Sequence, residues 1–149
     1  MQASLSADQL LSMTRQQLDD LFASSPPGPI PNGEAQGLAI IAPGTIFSKP
    51  IAEAINLFCW KGKVFDGPHG VLVNRITPFG INAIVAEVYV APSWFDEKDC
   101  IVLDYSKTSL VAERVRHEIR EVTPNLYLGL VYWAKTRLID FSLDFSPAS

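Results

Sequence analysis

Residues 126–133 read LYLGLVYW, a run that is nearly all apolar. A strand with water along one side alternates apolar with polar residues. This one does not, so both of its faces need cover. It is followed by the short turn AKT and by RLIDFSLDF, residues 137–145. A two-residue turn at Lys135-Thr136 sets Ile139 opposite Tyr132, Phe141 opposite Leu130, Leu143 opposite Leu128 and Phe145 opposite Leu126. One side of this hairpin then carries eight large apolar groups. The other carries Tyr127, Gly129, Val131, Trp133, Leu138, Asp140, Ser142 and Asp144. Apolar area resists exposure at about 25 cal/mol per Å2. A closed or strongly curled sheet, with helices packed outside it or across its mouth, covers both faces. Small antiparallel barrels of about eight strands have room for packed side chains or one small ligand.

The rest of the chain supplies the other strands. Ser6 followed by Gln9 is a capping box, and Leu11, Leu18, Leu21 and Phe22 form one face of the N-terminal helix it starts. SSPPGPIPNG (24–33) stops that helix and favours an extended connector. EAQGLAIIA (34–42) reads as a first strand and SKPIAEAINLF (48–58) as a short helix. From Trp60 the period changes to two. WKGKVFD and GVLVNRIT flank the turn DGPHG, and TPFG leads into INAIVAEVYV. Pairing Arg75 with Asn82 puts Val73 opposite Ile84 and Val71 opposite Ala86, and gathers Val71, Val73, Ile84, Ala86 and Val88 on a core face. After the loop PSWFDEKD comes the strand CIVLDY, and then TSLVAERVRHEIREV, read as a helix over about 109–122. Short connections make the sheet mainly antiparallel.

Length and composition bound the function. The chain has 149 residues, which suits a single domain: a helix and Pro-rich connector over 1–33, then a barrel over 34–149. A net charge of −4 is too acidic to neutralise many phosphates, which argues against nucleic acid. Cys59 and Cys100 lack metal spacing and lie among large apolar residues, so they read as buried hydrophobes. No leader or membrane-length apolar run is visible, and a cytoplasmic protein is expected.

Trp60-Lys61-Gly62, the curled apolar sheet and the ending YLGLVYWAKTRLIDFSLDF resemble the small lipocalin-like barrels of the uncharacterised group known for a GXWXG signature. Phe58 stands where the first glycine of that signature falls. The resemblance covers Trp60 onward. It implies a β-barrel able to hold an apolar small molecule, with the tryptophan packed across one end, and it implies no reaction. The fold expected is therefore α+β but mainly β: a small antiparallel barrel of about seven to eight strands, with an N-terminal helix and the helix at about 109–122.

Glu118 is the charged residue with most to say. On a helix whose stripe is Val111, Val115, Ile119 and Val122, Glu118 falls inside the stripe, where a carboxylate loses hydration unless it is paired. It reads as a salt bridge or strand hydrogen bond, with Arg75 or Arg137 as partner, or else as an acid or base at a pocket mouth. Asp104 ends CIVLDY, where it bonds a following turn or points into a cavity. His117 falls on the polar side of that helix, and His69 lies in a turn. Asp140 and Asp144 read as a watered exterior, or as an acid–base pair if their face is internal. Tyr105 and Tyr132 join an apolar ring to a polar tip.

The first function this supports is binding of a small hydrophobic ligand (terpenoid, steroid or fatty-acid-like) by Tyr105, Leu128, Leu130, Tyr132, Phe141 and Trp60. The second is a cofactor-independent lyase, isomerase or cyclase using Glu118 and Asp104. A packed interaction domain is a third. Neither a cofactor nor a metal is called for by any motif. The partner expected is a small hydrophobic molecule, with no nucleic acid and no membrane span, and a homodimer is left open.

Overall fold

The computed structural model describes residues 5–40, 63–75, 82–105 and 115–145. Two short helices come first, α1 (Ala7–Leu11) and α2 (Arg15–Ser24). Eight strands follow: β1 (Gly33–Ile40), β2 (Lys63–Asp66), β3 (Val71–Arg75), β4 (Asn82–Pro92), β5 (Asp99–Asp104), β6 (Val115–Thr123), β7 (Leu126–Trp133) and β8 (Thr136–Asp144). Each strand pairs antiparallel with its neighbour in sequence, and β1 pairs with β8 to close the barrel. The expected helix at 48–58, the turn TPFG, Trp60 and Cys59 lie outside the described residues.

The expected N-terminal helix is two helices. Ser6 and Gln9 form the capping box, but the first helix stops at Ser12 and a second box, Thr14 with Gln17, starts the next. That break takes Leu11 off the apolar face, and it is 46% exposed, while Leu10, Leu18 and Phe22 are buried. α1 packs on β1 and β8, and α2 packs on β6.

Residues 115–123 form a strand, which corrects the helix expected at about 109–122; residues 106–114 lie outside the described ones. The spacing that suggested a helix is ambiguous. Val115 and Ile119 are four apart, which fits one helical face and equally one strand face. In the strand Val115, His117 and Ile119 point inward, and Arg116, Glu118 and Arg120 point outward.

The two hairpins also pair differently from the expected registers. Arg75 does face Asn82, but a bulge then sets Val73 opposite Val85 and Leu72 opposite Ala86. The interior therefore receives Leu72 with Ala86 and Val88. In the last hairpin the turn falls at Ala134-Lys135, whose φ angles of 48° and 71° suit a two-residue hairpin turn. Trp133 pairs with Thr136, and a bulge places Leu138 and Ile139 together opposite Val131. Leu130 then meets Asp140 and Gly129 meets Phe141.

That one-residue slip splits the eight apolar groups expected to share a side. Ile139, Phe141 and Leu143 join Tyr127 and Val131 inside the barrel. Leu126, Leu128, Leu130 and Tyr132 lie outside, in a second core with Leu10, Leu18, Phe22, Ile40, Cys100 and Val102. Both faces of LYLGLVYW are thus covered, one by the barrel interior and the other by the N-terminal helices.

Candidate ligand site in the barrel interior

Every strand contributes to the interior wall. β1 offers Ala35 and Ala39 with Gly37 between them; β2 Phe65; β3 Leu72; β4 Ala86 and Val88; β5 Ile101 and Leu103; β6 Val115 and Ile119. On β7 the interior position at 129 is glycine, and the Phe141 ring of β8 occupies the space a Cβ would need there. Phe141 therefore lies against the β7 wall.

One rim of the barrel is stopped. It holds the end of β2, the β6–β7 turn and the end of β8, and the connector crosses it. Tyr127 Oη donates to Pro29 O at 2.6 Å, Glu121 N to Pro27 O at 3.2 Å, and Gly67 N to Asn32 Oδ1 at 3.0 Å. Gly28, with φ of +74°, passes Glu121 closely enough that a side chain there would collide with its Cβ. Ile30 packs onto the interior core, and the Phe65 and Tyr127 rings each meet Phe145 edge-on. Burial, with Glu121 beside it, pushes the Tyr127 hydroxyl up.

Toward the opposite rim, where β2 begins, β5 ends and β6 begins, three polar side chains enter this apolar interior. Lys63, on the same face of β2 as Phe65, is 1% exposed. Its Nζ lies 3.0 Å from Tyr105 Oη. Tyr105 and His117 are fully buried, with ring centroids 5.1 Å apart, and His117 lies 5.0 Å from Phe141. Burial, reinforced by the charge of Lys63, holds the imidazole well below its usual pKa, so His117 is neutral at physiological pH. An ammonium, a phenol and a neutral imidazole can bind a polar ligand group or exchange protons with it.

Of the residues singled out from the sequence, Tyr105 and Phe141 belong to this interior. Leu128, Leu130 and Tyr132 do not face it: the register slip places them on the outer surface under the helices. Tyr132 also lines an open depression of about 530 Å3 with Pro92, Ser93, Trp94, Glu97 and Lys135. Burial, with Glu118 nearby, raises its hydroxyl to about 12. Trp60 is outside the described residues.

Glu118 and Asp104 both lie on the outer face. Glu118 is fully buried there and accepts from Ser93 Oγ at 2.5 Å, Trp94 N at 2.8 Å and Arg116 Nε at 3.0 Å. It ties loop 93–98 to β6 and forms an ion pair with Arg116, while Arg137 pairs with Asp19 and Asp140. Asp104 accepts from Tyr89 Oη at 2.8 Å across the neighbouring strand; the turn expected to bond it, residues 106–109, lies outside the described residues. Burial and that bond raise Tyr89 to about 12. Asp140 is not watered: it is buried and bonds Arg137 at 2.6 Å, which also pairs with Asp19 of α2. Burial raises the Asp140 pKa against the pull of Arg137. Buried Cys100, its thiol raised to about 12, behaves as a small hydrophobe.

Sequence reading missed Lys63 and His117. His117 was legible once 115–123 is read with a period of two, since it then sits between Val115 and Ile119 on the apolar face. Lys63 was harder, because WKGKVFD is too short to show which lysine turns inward. Among the described residues no group of three His, Cys, Asp or Glu side chains is placed to hold a metal ion, and no helix is long and apolar enough to cross a membrane.

No family model and no curated protein matches the chain. A crystal structure of a protein from Thermomonospora curvata is similar in fold, with a TM-score of 0.60 at 16% identity over 91% of this chain and 89% of that one. At that identity the likeness extends to the fold alone.

Proposed function

We propose that the barrel binds a small, largely hydrocarbon molecule in its interior, of the terpenoid, steroid or fatty-acid-like kind. The observation that carries this reading is the make-up of the wall. It is apolar on all sides and thin along β1, where Ala35, Gly37 and Ala39 follow one another, and it holds polar groups only in one cluster among its described residues. Ligand pockets share this pattern of apolar lining with few convergent polar groups. Trp60-Lys61-Gly62 supports kinship with the GXWXG-signature barrels on the same terms. Tyr105 and Phe141 remain ligand contacts in this reading, and Lys63 and His117 join them. The test is native mass spectrometry of protein purified from its own host. A co-purified apolar molecule, displaced competitively by an environment-sensitive dye, is the expected result. Protein that carries nothing and takes up no apolar dye refutes the proposal.

A second reading is a cofactor-independent lyase, isomerase or cyclase acting on such a molecule. The Lys63–Tyr105 contact beside a neutral imidazole favours it, because proton transfer needs groups of this kind within hydrogen-bond reach. Glu118 and Asp104 are engaged on the outer face, so the acid–base set becomes Lys63, Tyr105 and His117. Under this reading His117→Gln lowers turnover of the co-purified molecule far more than it weakens its binding. Unchanged turnover in that variant removes the reading.

A further inference from the structure

We infer that the outer surface carries a separate site, a saccharide site in the depression between loop 93–98 and the turn joining β7 to β8, with Trp94 as its platform. This site stands apart from the barrel interior, whatever the interior holds.

Trp94 is 44% exposed, yet it is held in place. Its backbone N–H donates to Glu118 Oε2 at 2.8 Å. The Arg116 guanidinium stacks on its ring at 4.3 Å, and the Tyr132 ring meets it edge-on at 5.3 Å. Arg116 is fixed in turn by Glu118 and by Pro92 O, each at 3.0 Å. Ser93 N–H donates to Lys98 O at 2.8 Å and Glu97 N–H to Ser93 O at 2.9 Å, which closes the loop on itself. Arg120 grips the same loop through both oxygens of Asp96. A large aromatic ring ordered in advance gives a ligand contact area without the entropic cost of immobilising it.

Hydrogen-bonding groups surround that platform. Tyr132 is 5% exposed, and its hydroxyl forms no hydrogen bond with another described residue. A phenol buried to this degree ordinarily has a partner. Tyr132 lines the depression with Trp94, Glu97 and Lys135, so a molecule seated there can supply one. The Glu97 and Lys135 side chains also form no hydrogen bond or ion pair with another described residue.

These groups select the chemistry of the occupant. One carboxylate and one ammonium cancel, which favours a molecule without net charge. Both are exposed, and exposed charges gain little from an ionic partner, so a zwitterion has no great advantage. Glu97 only accepts, Lys135 only donates, and the phenol does both. Adjacent hydroxyl groups, each donor and acceptor, match all three. A pyranose ring carries such hydroxyls and a flat C–H face to lay on the indole. The depression, at about 530 Å3, falls in the size range of small-molecule sites.

The experiment titrates cellobiose, maltose and, as the zwitterion, phenylalanine into the isotope-labelled full chain and follows the backbone and indole N–H signals by NMR. At least one disaccharide is expected to move the Trp94 indole and the amides of residues 93–97 and 132–135, with a Kd on the order of 1 mM. The interior amides of Leu72 and Phe141 stay in place. Trp94→Ala is expected to weaken that binding about tenfold or more, and Tyr132→Phe about threefold to tenfold. Trp94→Phe keeps part of the affinity. The wild-type titration needs no variant, so a misfolded Trp94→Ala protein does not rescue the inference. No shift from either disaccharide at about 20 mM overturns the site. Phenylalanine binding tighter than both overturns the ligand class. Shifts centred on the interior amides, or full affinity in Trp94→Ala, overturn the placement on Trp94.

Discussion

On β6 the outward residues Arg116, Glu118 and Arg120 and the inward residues Val115, His117 and Ile119 are separated by the thickness of one strand, and both sets are buried or nearly so. Outside, charge is saturated. Arg120 uses all five of its N–H donors: on Asp99 O, Phe22 O, Lys98 O and both oxygens of Asp96. Its guanidinium also lies 4.3 Å from the Phe22 ring centroid, and Arg116 stacks on Trp94 at the same distance. The Arg120 bonds hold the Asp96 carboxyl below its usual pKa. Inside, polar groups are few and set among hydrocarbon. The outer set fastens α2 and loop 93–98 to the barrel; the inner set has chemistry to offer a ligand. Burial of a charged residue therefore says little about function until its face and its partners are known.

The sharpest break between the two faces is at Arg120. Arg120→Met leaves Asp96 and three carbonyls without their donor, and about 3–5 kcal/mol of stability is expected to go. Urea unfolding measures this, and ligand affinity of the folded fraction should not move. A loss of affinity without a loss of stability would reverse the roles assigned to the faces. Next in size is Gly129→Ala on β7, where the added methyl meets the Phe141 ring. A loss of about 1–3 kcal/mol is expected from overpacking. A variant as stable as wild type would mean that the Phe141 ring has somewhere else to go.

Smaller, and confined to the inner face, is the effect of pH on His117. Its folded pKa lies below the value of about 6.5 for an unfolded histidine, so the unfolded chain takes up a proton that the folded chain refuses. Stability is complete above pH ~6.5 and falls below it, by at most about 1.4 kcal/mol per pH unit. Asp96 and Asp140 act with opposite signs: the lowered Asp96 loses stability on acidification, and the raised Asp140 gains it. The difference between wild type and His117→Gln in unfolding curves from pH ~7.5 to ~5 isolates the histidine, and the variant's loss of stability on acidification should be smaller. A slope that survives in the variant has another origin. Smallest of all is His69→Ala. Its bond to Asp66 spans 2.7 Å, but the two side chains are 78% and 48% exposed, so a change within about 0.5 kcal/mol is expected in the same assay.

Much of the architecture was legible in residues 126–133. A strand greasy on both faces called for a curved sheet with helices outside it, and the barrel supplies both. The capping box at Ser6, the Pro-rich connector and the runs of period two also read correctly. What failed were matters of one residue. Val115 and Ile119 satisfied two periods at once, and the bulges at Ala83, Val122 and Leu138-Ile139 shifted pairings that no local pattern marks. The candidate site inherited those errors. Tyr105 and Phe141 do face the interior, whereas Leu128, Leu130 and Tyr132 changed sides with the register. Glu118 and Asp104 were conspicuous as charges in apolar runs, and that is also how residues fastening an outer layer look.

Seven of the eight strand pairings join neighbours in sequence, and the eighth joins the two ends of the sheet, Gln36–Ile40 against Asp140–Asp144. Bringing those ends together closes the longest loop among the eight pairings, so this seam costs more entropy than any pairing of sequence neighbours. α1 lies across it, touching both strands. Five helical residues thus span the seam as a clasp, and the Ser6 capping box holds that clasp wound.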